Sequence, residues 1–151
     1  MAIDLKAATK TLKPSDLVGT WRGGGQETLS TDGTIVKPRG PSHPAYLIYT
    51  AGGEVMVLST GAHGVGAKEL DQLSEQEQAR LTQTTVAYYG TFEITEGVIQ
   101  HRLIAGLVPI WAGQSRTRYA VLTGDDLVFT TPPDKAGHVS RIFWQRFKPS
   151  R

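Results

Sequence analysis

The sequence predicts an all-β protein of short antiparallel strands, arranged as a meander, a sandwich or a barrel. Two observations support this fold class. Turn-forming residues recur at short intervals, at 31–33, 51–53, 95–97, 123–126 and 132–137. The runs between them are rich in Val, Ile, Thr, Tyr and Phe, and they read AYLIYT, EVMVLST, YYGTFEI, VIQHRLI, SRTRYAVL, LVFTT and HVSRIFWQRF. Strands of this length and spacing are typical of all-β domains.

One helix is indicated at about 74–86, where Ser74 and Glu77 form an S-x-x-E capping box. Its apolar stripe is thin, so we expect a short helix that lies on or over the sheet. Whether the segment 74–87 acts as a lid is open. Residues 1–13 are expected to form an N-terminal arm and 14–151 one domain, because a chain of 151 residues is one domain by default.

The composition excludes several classes of function. The chain carries 16 Lys and Arg against 14 Asp and Glu, without the clustered basic residues of a nucleic-acid-binding surface. It has no Cys, which removes disulfides, zinc-thiolate sites and thiol nucleophiles. No apolar run has the length of a signal-peptide core or a transmembrane helix. We therefore expect a cytoplasmic protein without a nucleic-acid or membrane partner, either a monomer or a homodimer.

Metal and cofactor sites are not expected. The histidines His43, His63, His101 and His138 are scattered, and no pair has the i,i+2 or i,i+4 spacing that places two imidazoles on one metal. The glycines Gly23–Gly25 lack the context of a phosphate-binding loop. They favour instead a bulge or bend in the first strand, which would also leave room for a cavity.

The first hairpin decides where His101 points, because residues directly opposite each other on paired strands share a face of the sheet. With a turn at Glu96 and Gly97, one face is polar and pairs Thr95 with Val98, Glu93 with Gln100, and Thr91 with Arg102. The other face is mostly apolar and pairs Ile94 with Ile99, Phe92 with His101, Gly90 with Leu103, and Tyr88 with Ala105. Since a sheet packs its apolar face inward, His101 is predicted to point in and Arg102 out.

The second hairpin turns at 123–126 and decides where two arginines point. It pairs Leu122 with Leu127, Ala120 with Phe129, and Arg118 with Thr131. The apolar members mark the inner face, so the period of two places Arg116 and Arg118 on it, provided that no bulge shifts the register.

Two inward arginines need either buried carboxylate partners or a solvated cavity, because an unpaired guanidinium in an apolar interior is too costly. Glu27 and Glu54 are the possible partners. A solvated pocket is the simpler solution. The guanidinium N–H groups of the two arginines would then donate to an anionic or carbonyl-bearing ligand. The residues predicted to bind that ligand are His101, Arg116, Arg118, Tyr88, Phe92, Trp111, Phe129 and Tyr49.

His101 itself has two interpretations, and the sequence leaves both open. It is either a satisfied core histidine that bonds Tyr88 or a backbone carbonyl, or a pocket histidine with a pKa near neutrality. In the second case it binds the ligand or moves a proton.

Several motifs resemble a known family. The stretch LVGTW, Leu17–Trp21, contains the G-x-W element of the first lipocalin strand. Further along, the family's W-x-G, Arg and L-x-G-D-x-L elements match Trp111, Gly113, Arg118, Leu122, Gly124, Asp125 and Leu127. Over roughly residues 15–147, the chain resembles the bacterial and fungal lipocalin-like domain family. It departs from the family at Gly23–Gly25, usually apolar strand residues, and at Arg102, often a second His.

The resemblance implies an antiparallel up-and-down lipocalin-like β-barrel of about 8–10 strands that encloses a small-molecule cavity. In such a barrel, we expect Trp21 to close one end against a cationic side chain of the last strand, Arg141 or Arg146. The glycine-rich stretch 61–66 is expected to form a loop at the barrel mouth.

Two functions fit this pocket. In the first, the barrel binds a largely apolar small molecule with an anionic or carbonyl end. In the alternative, a cofactor-independent isomerase, lyase or cyclase uses His101 as general acid or base, Arg118 and Arg116 as an electrostatic clamp, and Tyr88 as an auxiliary donor. A third function, in which the barrel surface binds a partner protein, has no sequence feature in its favour.

Overall fold

A computed structural model describes residues 12–38, 43–60 and 69–150. In these ranges, the chain forms one antiparallel sheet in which the first long strand also pairs with the last, so that eight strands close into a barrel and a ninth extends it. The predicted all-β, up-and-down barrel is therefore confirmed. The strands are β1 Gly19–Leu29, β2 Ile35–Val36, β3 Ala45–Tyr49, β4 Glu54–Ser59, β5 Val86–Thr95, β6 Val98–Gly106, β7 Ser115–Thr123, β8 Asp126–Thr130 and β9 Val139–Arg146.

Alternation along the strands places the core inside the barrel. On β3, Ala45, Leu47 and Tyr49 are buried while Tyr46 and Ile48 between them are exposed. The same period of two runs through β4. Because successive strand side chains point to opposite faces, each strand presents one row to the interior.

One end of the barrel is closed by Trp21. The short helix α1, Pro14–Leu17, precedes β1, and the carbonyl of Leu17 accepts a 2.9 Å hydrogen bond from Nε1 of Trp21. The Arg146 guanidinium lies 4.2 Å from the centre of a Trp21 ring, and it donates to the carbonyls of Asp16 and Val18. The predicted stacking of Trp21 with an arginine of the last strand is confirmed, and Arg146 is that residue.

The three glycines of β1 form the predicted irregularity. The register between β1 and β9 shifts between Gly23 and Gly25. A Cβ on Gly23 would lie 2.5 Å from the Cβ of Ala45 on β3, closer than real contacts allow. The absence of a side chain at Gly23 therefore lets β1 and β3 approach each other at this point.

The first hairpin confirms the predicted register except at its end. Glu96 and Gly97 form the turn with φ values of 51° and 77°, and Phe92 faces His101 as predicted. Tyr88, however, lies opposite Gly106 and not opposite Ala105. The reason is a bulge that leaves Ile104 without a partner, so this one predicted pair is wrong.

The predicted helix is present as α2, Glu75–Thr84. Oγ of Ser74 accepts from the amide of Glu77, and a Glu77 carboxylate oxygen accepts from the amide of Ser74, which confirms the capping box. None of its residues is buried, in keeping with its thin apolar stripe. In the described part of the chain, no helix is long and apolar enough to cross a membrane. Most of the predicted arm and the predicted 61–66 loop lie outside the described residues.

Candidate functional site

A cavity of about 160 Å³ lies inside the barrel, toward the end where β5 begins and β8 ends. Its wall is mixed: Tyr88, His101 and Arg118 on β5, β6 and β7 bring a hydroxyl, an imidazole and a guanidinium, and the other strands contribute both apolar and polar side chains. The lining residues are Gly23, Gly25, Gln26, His43, Ala45, Val57, Ser59, Val86, Tyr88, His101, Arg118, Phe129, Thr131, Ser140, Ile142 and Trp144.

Four of the eight predicted ligand contacts line this cavity: Tyr88, His101, Arg118 and Phe129. They come from four successive strands, β5 to β8. Each lies on the inward-facing row of its strand, so the period of two and the hairpin turns are what bring them together.

His101 is fully buried and is bonded on both ring nitrogens. The hydroxyl of Tyr49 lies 2.6 Å from Nε2, and the hydroxyl of Tyr88 lies 2.7 Å from Nδ1. A neutral imidazole has one N–H donor and one acceptor nitrogen, so one tyrosine accepts from the ring and the other donates to it. Of the two interpretations of His101, the geometry matches the satisfied core histidine bonded to Tyr88.

The second interpretation of His101 requires a pKa near neutrality, and the surroundings of His101 do not favour one. Burial, with a smaller contribution from the positive charge of Arg118, lowers the pKa of His101 to about 3. Both effects disfavour the charged imidazolium. His101 is therefore neutral at physiological pH, and a conjugate acid this strong makes it a poor general base.

The two tyrosines share this low-polarity environment. Burial raises the pKa of Tyr49 and of Tyr88, so both hydroxyls stay protonated at neutral pH. At Tyr88, the charge of Arg118 and a hydrogen bond from it act in the opposite direction. Tyr49 does not line the cavity, and it acts on the site by holding His101.

Arg118 brings the positive charge of the cavity wall. Its guanidinium donates a 2.8 Å hydrogen bond to the carbonyl of Thr117, next to it in the chain. The carboxylates named as possible partners are engaged elsewhere, since Glu27 pairs with Arg141, and Glu54 accepts from Thr50 and Tyr89. No described carboxylate forms an ion pair with Arg118, and none lines the cavity. The site therefore presents a cation with unused donors.

Arg116 and Trp111 do not line the cavity. Trp111 ends a short 3₁₀ turn, Pro109–Trp111, between β6 and β7, and the Arg116 guanidinium lies 5.4 Å from the centre of a Trp111 ring. The cation–π contact gives Arg116 a partner away from the ligand space. Phe92 is also outside the lining, because its ring packs against Tyr49 at a centroid distance of 4.5 Å.

Sequence reasoning missed several cavity residues with polar groups, and two of them, His43 and Trp144, show why. His43 precedes β3 and is buried, and the alternation that runs back from Tyr49 through Leu47 and Ala45 would have placed it inward. Trp144 lies on β9 and is also buried, with its partner Gly23 across the β1–β9 seam. β1 and β9 pair although they are far apart in the sequence, so no hairpin pattern predicts their contact.

The arrangement of the described residues suits binding of a molecule whose polar end contacts Arg118. Within those residues, no three His, Asp or Glu side chains come together as metal ligands. Arg118 and the Tyr88 hydroxyl form the charged side, and Phe129, Val57 and Ile142 are part of the apolar side.

Comparison with known proteins gives one family. A profile of the lipocalin-like domain matches residues 18–147. A solved lipocalin-like protein from Bacteroides uniformis is 14% identical, over 87% of this chain and 99% of that one, with a TM-score of 0.47. A mutant of the fluorescent protein UnaG is 12% identical, over 91% of this chain and 100% of that one, with a TM-score of 0.44. No curated protein matches the chain significantly.

Proposed function

Since the chain belongs to the lipocalin-like domain family, we propose that its barrel binds a small, largely apolar molecule whose anionic or carbonyl end contacts Arg118. The observation that carries this proposal is the guanidinium on the cavity wall, which no described carboxylate neutralises. A ligand with a negative or carbonyl oxygen would accept charge-assisted hydrogen bonds from this guanidinium.

The rest of the wall supports a directional binding mode. When the His101 proton is on Nδ1, the Tyr88 hydroxyl accepts from the ring, and its own proton is then a second donor beside the cation. Phe129, Ala45, Val57 and Ile142 provide apolar contacts for the body of the ligand. A few polar groups that converge within an apolar cavity are typical of ligand sites.

The proton-transfer alternative has no observation in its favour. It relied on His101 as general acid or base, and His101 is neutral, buried and bonded on both nitrogens. The predicted absence of cofactor and metal, the cytoplasmic location and the monomeric or dimeric state stay predictions.

Isothermal titration with benzoate, octanoate and 1-naphthoate tests the proposal. We expect at least one of these carboxylates to bind the wild-type protein, and Arg118→Met to weaken that binding about 10- to 100-fold, the value of a charge-assisted hydrogen bond. Arg116→Met is the matched control, because Arg116 lies on the same strand but outside the cavity. If no carboxylate binds, or if both variants lose affinity equally, the proposal is overturned.

A second experiment identifies the natural ligand. Native mass spectrometry of the purified protein should show an added small mass in the wild type that is reduced in Arg118→Met. The fragment spectrum would then give the chemical class. An added mass that is fully retained in Arg118→Met would contradict the assigned contact.

A further inference from the structure

The cavity wall contains a second polar group, which the proposed function does not use. Trp144 lines the cavity and is only 6% exposed, and its Nε1 is buried without a hydrogen-bond partner among the described residues. Trp21 shows the usual outcome for a buried indole, since its Nε1 donates to the Leu17 carbonyl. A buried N–H without an acceptor is unfavourable, so an acceptor that arrives with a ligand would be favoured.

Phe129 lies between the strands of the two polar groups, because Arg118 is on β7, Phe129 on β8 and Trp144 on β9. The centre of the Phe129 ring is 6.2 Å from that of His101 and 6.3 Å from that of Trp144. His101 belongs to the charged side of the cavity with Tyr88 and Arg118. Along the cavity wall, the Phe129 ring on β8 therefore separates the strand of Arg118 from the strand of Trp144.

The volume limits the size of the ligand body. An apolar protein cavity of about 150 Å³ accommodates a benzene molecule, and the cavity here has about 160 Å³. Gly23 and Gly25 contribute backbone but no side chain to the wall beside Trp144, which keeps this volume open. A single six-membered ring with small substituents fits, whereas a fused polycyclic body exceeds the space.

Resting on the proposed function, we propose that the ligand is a single-ring carboxylate that carries a second hydrogen-bond acceptor across the ring from the carboxylate. The carboxylate accepts from Arg118 and from the Tyr88 hydroxyl. The ring contacts the edge or face of Phe129. The second acceptor, a carbonyl or ring-substituent oxygen, accepts from Nε1 of Trp144.

Two isosteric probes test the second acceptor. 4-Formylbenzoate has a carbonyl oxygen across the ring from its carboxylate, and 4-vinylbenzoate has the same shape without that oxygen. By isothermal titration, we expect the wild-type protein to bind 4-formylbenzoate about tenfold more tightly, the contribution of one hydrogen bond to a buried donor. Trp144→Phe removes the N–H and should reduce this preference to about onefold.

Trp21→Phe is the matched control, because its N–H is already bonded and it does not line the cavity. This variant should keep the tenfold preference. Equal wild-type affinity for the two probes overturns the inference even if Trp144→Phe does not fold, and so does a preference that survives Trp144→Phe.

The failure of this inference is distinguishable from the failure of the proposed function. If octanoate or 1-naphthoate binds in an Arg118-dependent manner and the benzoates do not, the single-ring class is wrong and the proposed function stands. If no carboxylate binds at all, both are wrong.

Discussion

The hydroxyl of Tyr88 lies 2.7 Å from Nδ1 of His101, and this hydrogen bond joins a buried core histidine to the wall of the ligand cavity. Tyr49 holds the opposite nitrogen at 2.6 Å, so the three side chains form one hydrogen-bonded unit. Burial and the charge of Arg118 keep the imidazole neutral, and its hydrogen bond holds the Tyr88 hydroxyl beside Arg118. A polar network inside a barrel core stabilises the fold only while each member has its partner.

Removing the Tyr49 hydroxyl should therefore destabilise the protein. Tyr49→Phe leaves Nε2 of a fully buried histidine without a partner, which costs about 1–3 kcal/mol of the free energy of unfolding. Urea denaturation measures this loss. Tyr46→Phe, on the exposed face of the same strand, is the control and should change stability by less than about 0.5 kcal/mol. Equal effects of the two substitutions would contradict the network.

Stability should fall in mild acid because of His101. Its folded-state pKa of about 3 lies below the unfolded value of about 6.5. The unfolded chain thus binds a proton that the folded chain does not, and the stability from neutral His101 is fully present above pH about 6.5 and lost as the pH falls toward 3. The slope is about 1.4 kcal/mol per pH unit at most.

Denaturation at pH 6.5 and pH 5 checks this dependence, above the range in which carboxylates such as Asp125 and Asp134 take up protons. His101→Gln should be less stable than the wild type at pH 6.5 and should show a flatter slope between the two pH values. An unchanged slope in His101→Gln would show that another group is responsible.

The glycines of β1 should tolerate substitution unequally. Gly23→Ala places a Cβ 2.5 Å from that of Ala45, so the strands must separate, at a cost of about 1–3 kcal/mol. Gly24→Ala is the matched control, because its Cβ would meet Phe143 at an ordinary 3.5 Å. Thermal unfolding should show a lower melting temperature for Gly23→Ala alone. A comparable decrease in Gly24→Ala would mean that general strand flexibility, and not the close approach, is what matters.

Removal of the Arg146 guanidinium should lower the free energy of unfolding more than removal of the Arg141 guanidinium. Arg146→Met loses the contact with Trp21 and two hydrogen bonds to backbone carbonyls, and we expect a loss of about 2–3 kcal/mol. Arg141→Met loses a partly exposed pair with Glu27, worth about 0–1 kcal/mol. A double-mutant cycle with Trp21→Leu, which removes the aromatic ring, isolates the stacking, and a coupling energy of zero would contradict it.

The hairpins explain how much of the fold was predictable. Strands that follow each other in the chain pair with one another here. Local alternation therefore predicts both turns, the inward direction of His101 and the inward row that includes Arg118. The bulge at Ile104 was not predictable in this way. It depends on Gly90, where a Cβ would lie 2.0 Å from the Arg102 carbonyl oxygen, and a sequence pattern does not reveal such a backbone approach.

The site was predictable only in part, for a related reason. Tyr88, His101, Arg118 and Phe129 belong to consecutive strands, so pairing rules bring them together. The Tyr49–His101 hydrogen bond spans 52 residues, and Trp144 meets Gly23 only because the barrel closes. Contacts across the barrel interior depend on its diameter and strand tilt, which alternation does not determine. The contact of Arg116 with Trp111 is local, but it depends on the 3₁₀ turn Pro109–Trp111, which strand alternation does not predict.

The proposed role of Arg118 is to bind a ligand and not to stabilise the fold. Two measurements on Arg118→Met, of stability and of ligand affinity, test this role. Because the guanidinium has no described carboxylate partner, its removal should leave the free energy of unfolding unchanged or raise it by about 1 kcal/mol. The same variant should bind benzoate about 10- to 100-fold more weakly than the wild type. A variant that loses stability and keeps its affinity for benzoate would contradict the claim.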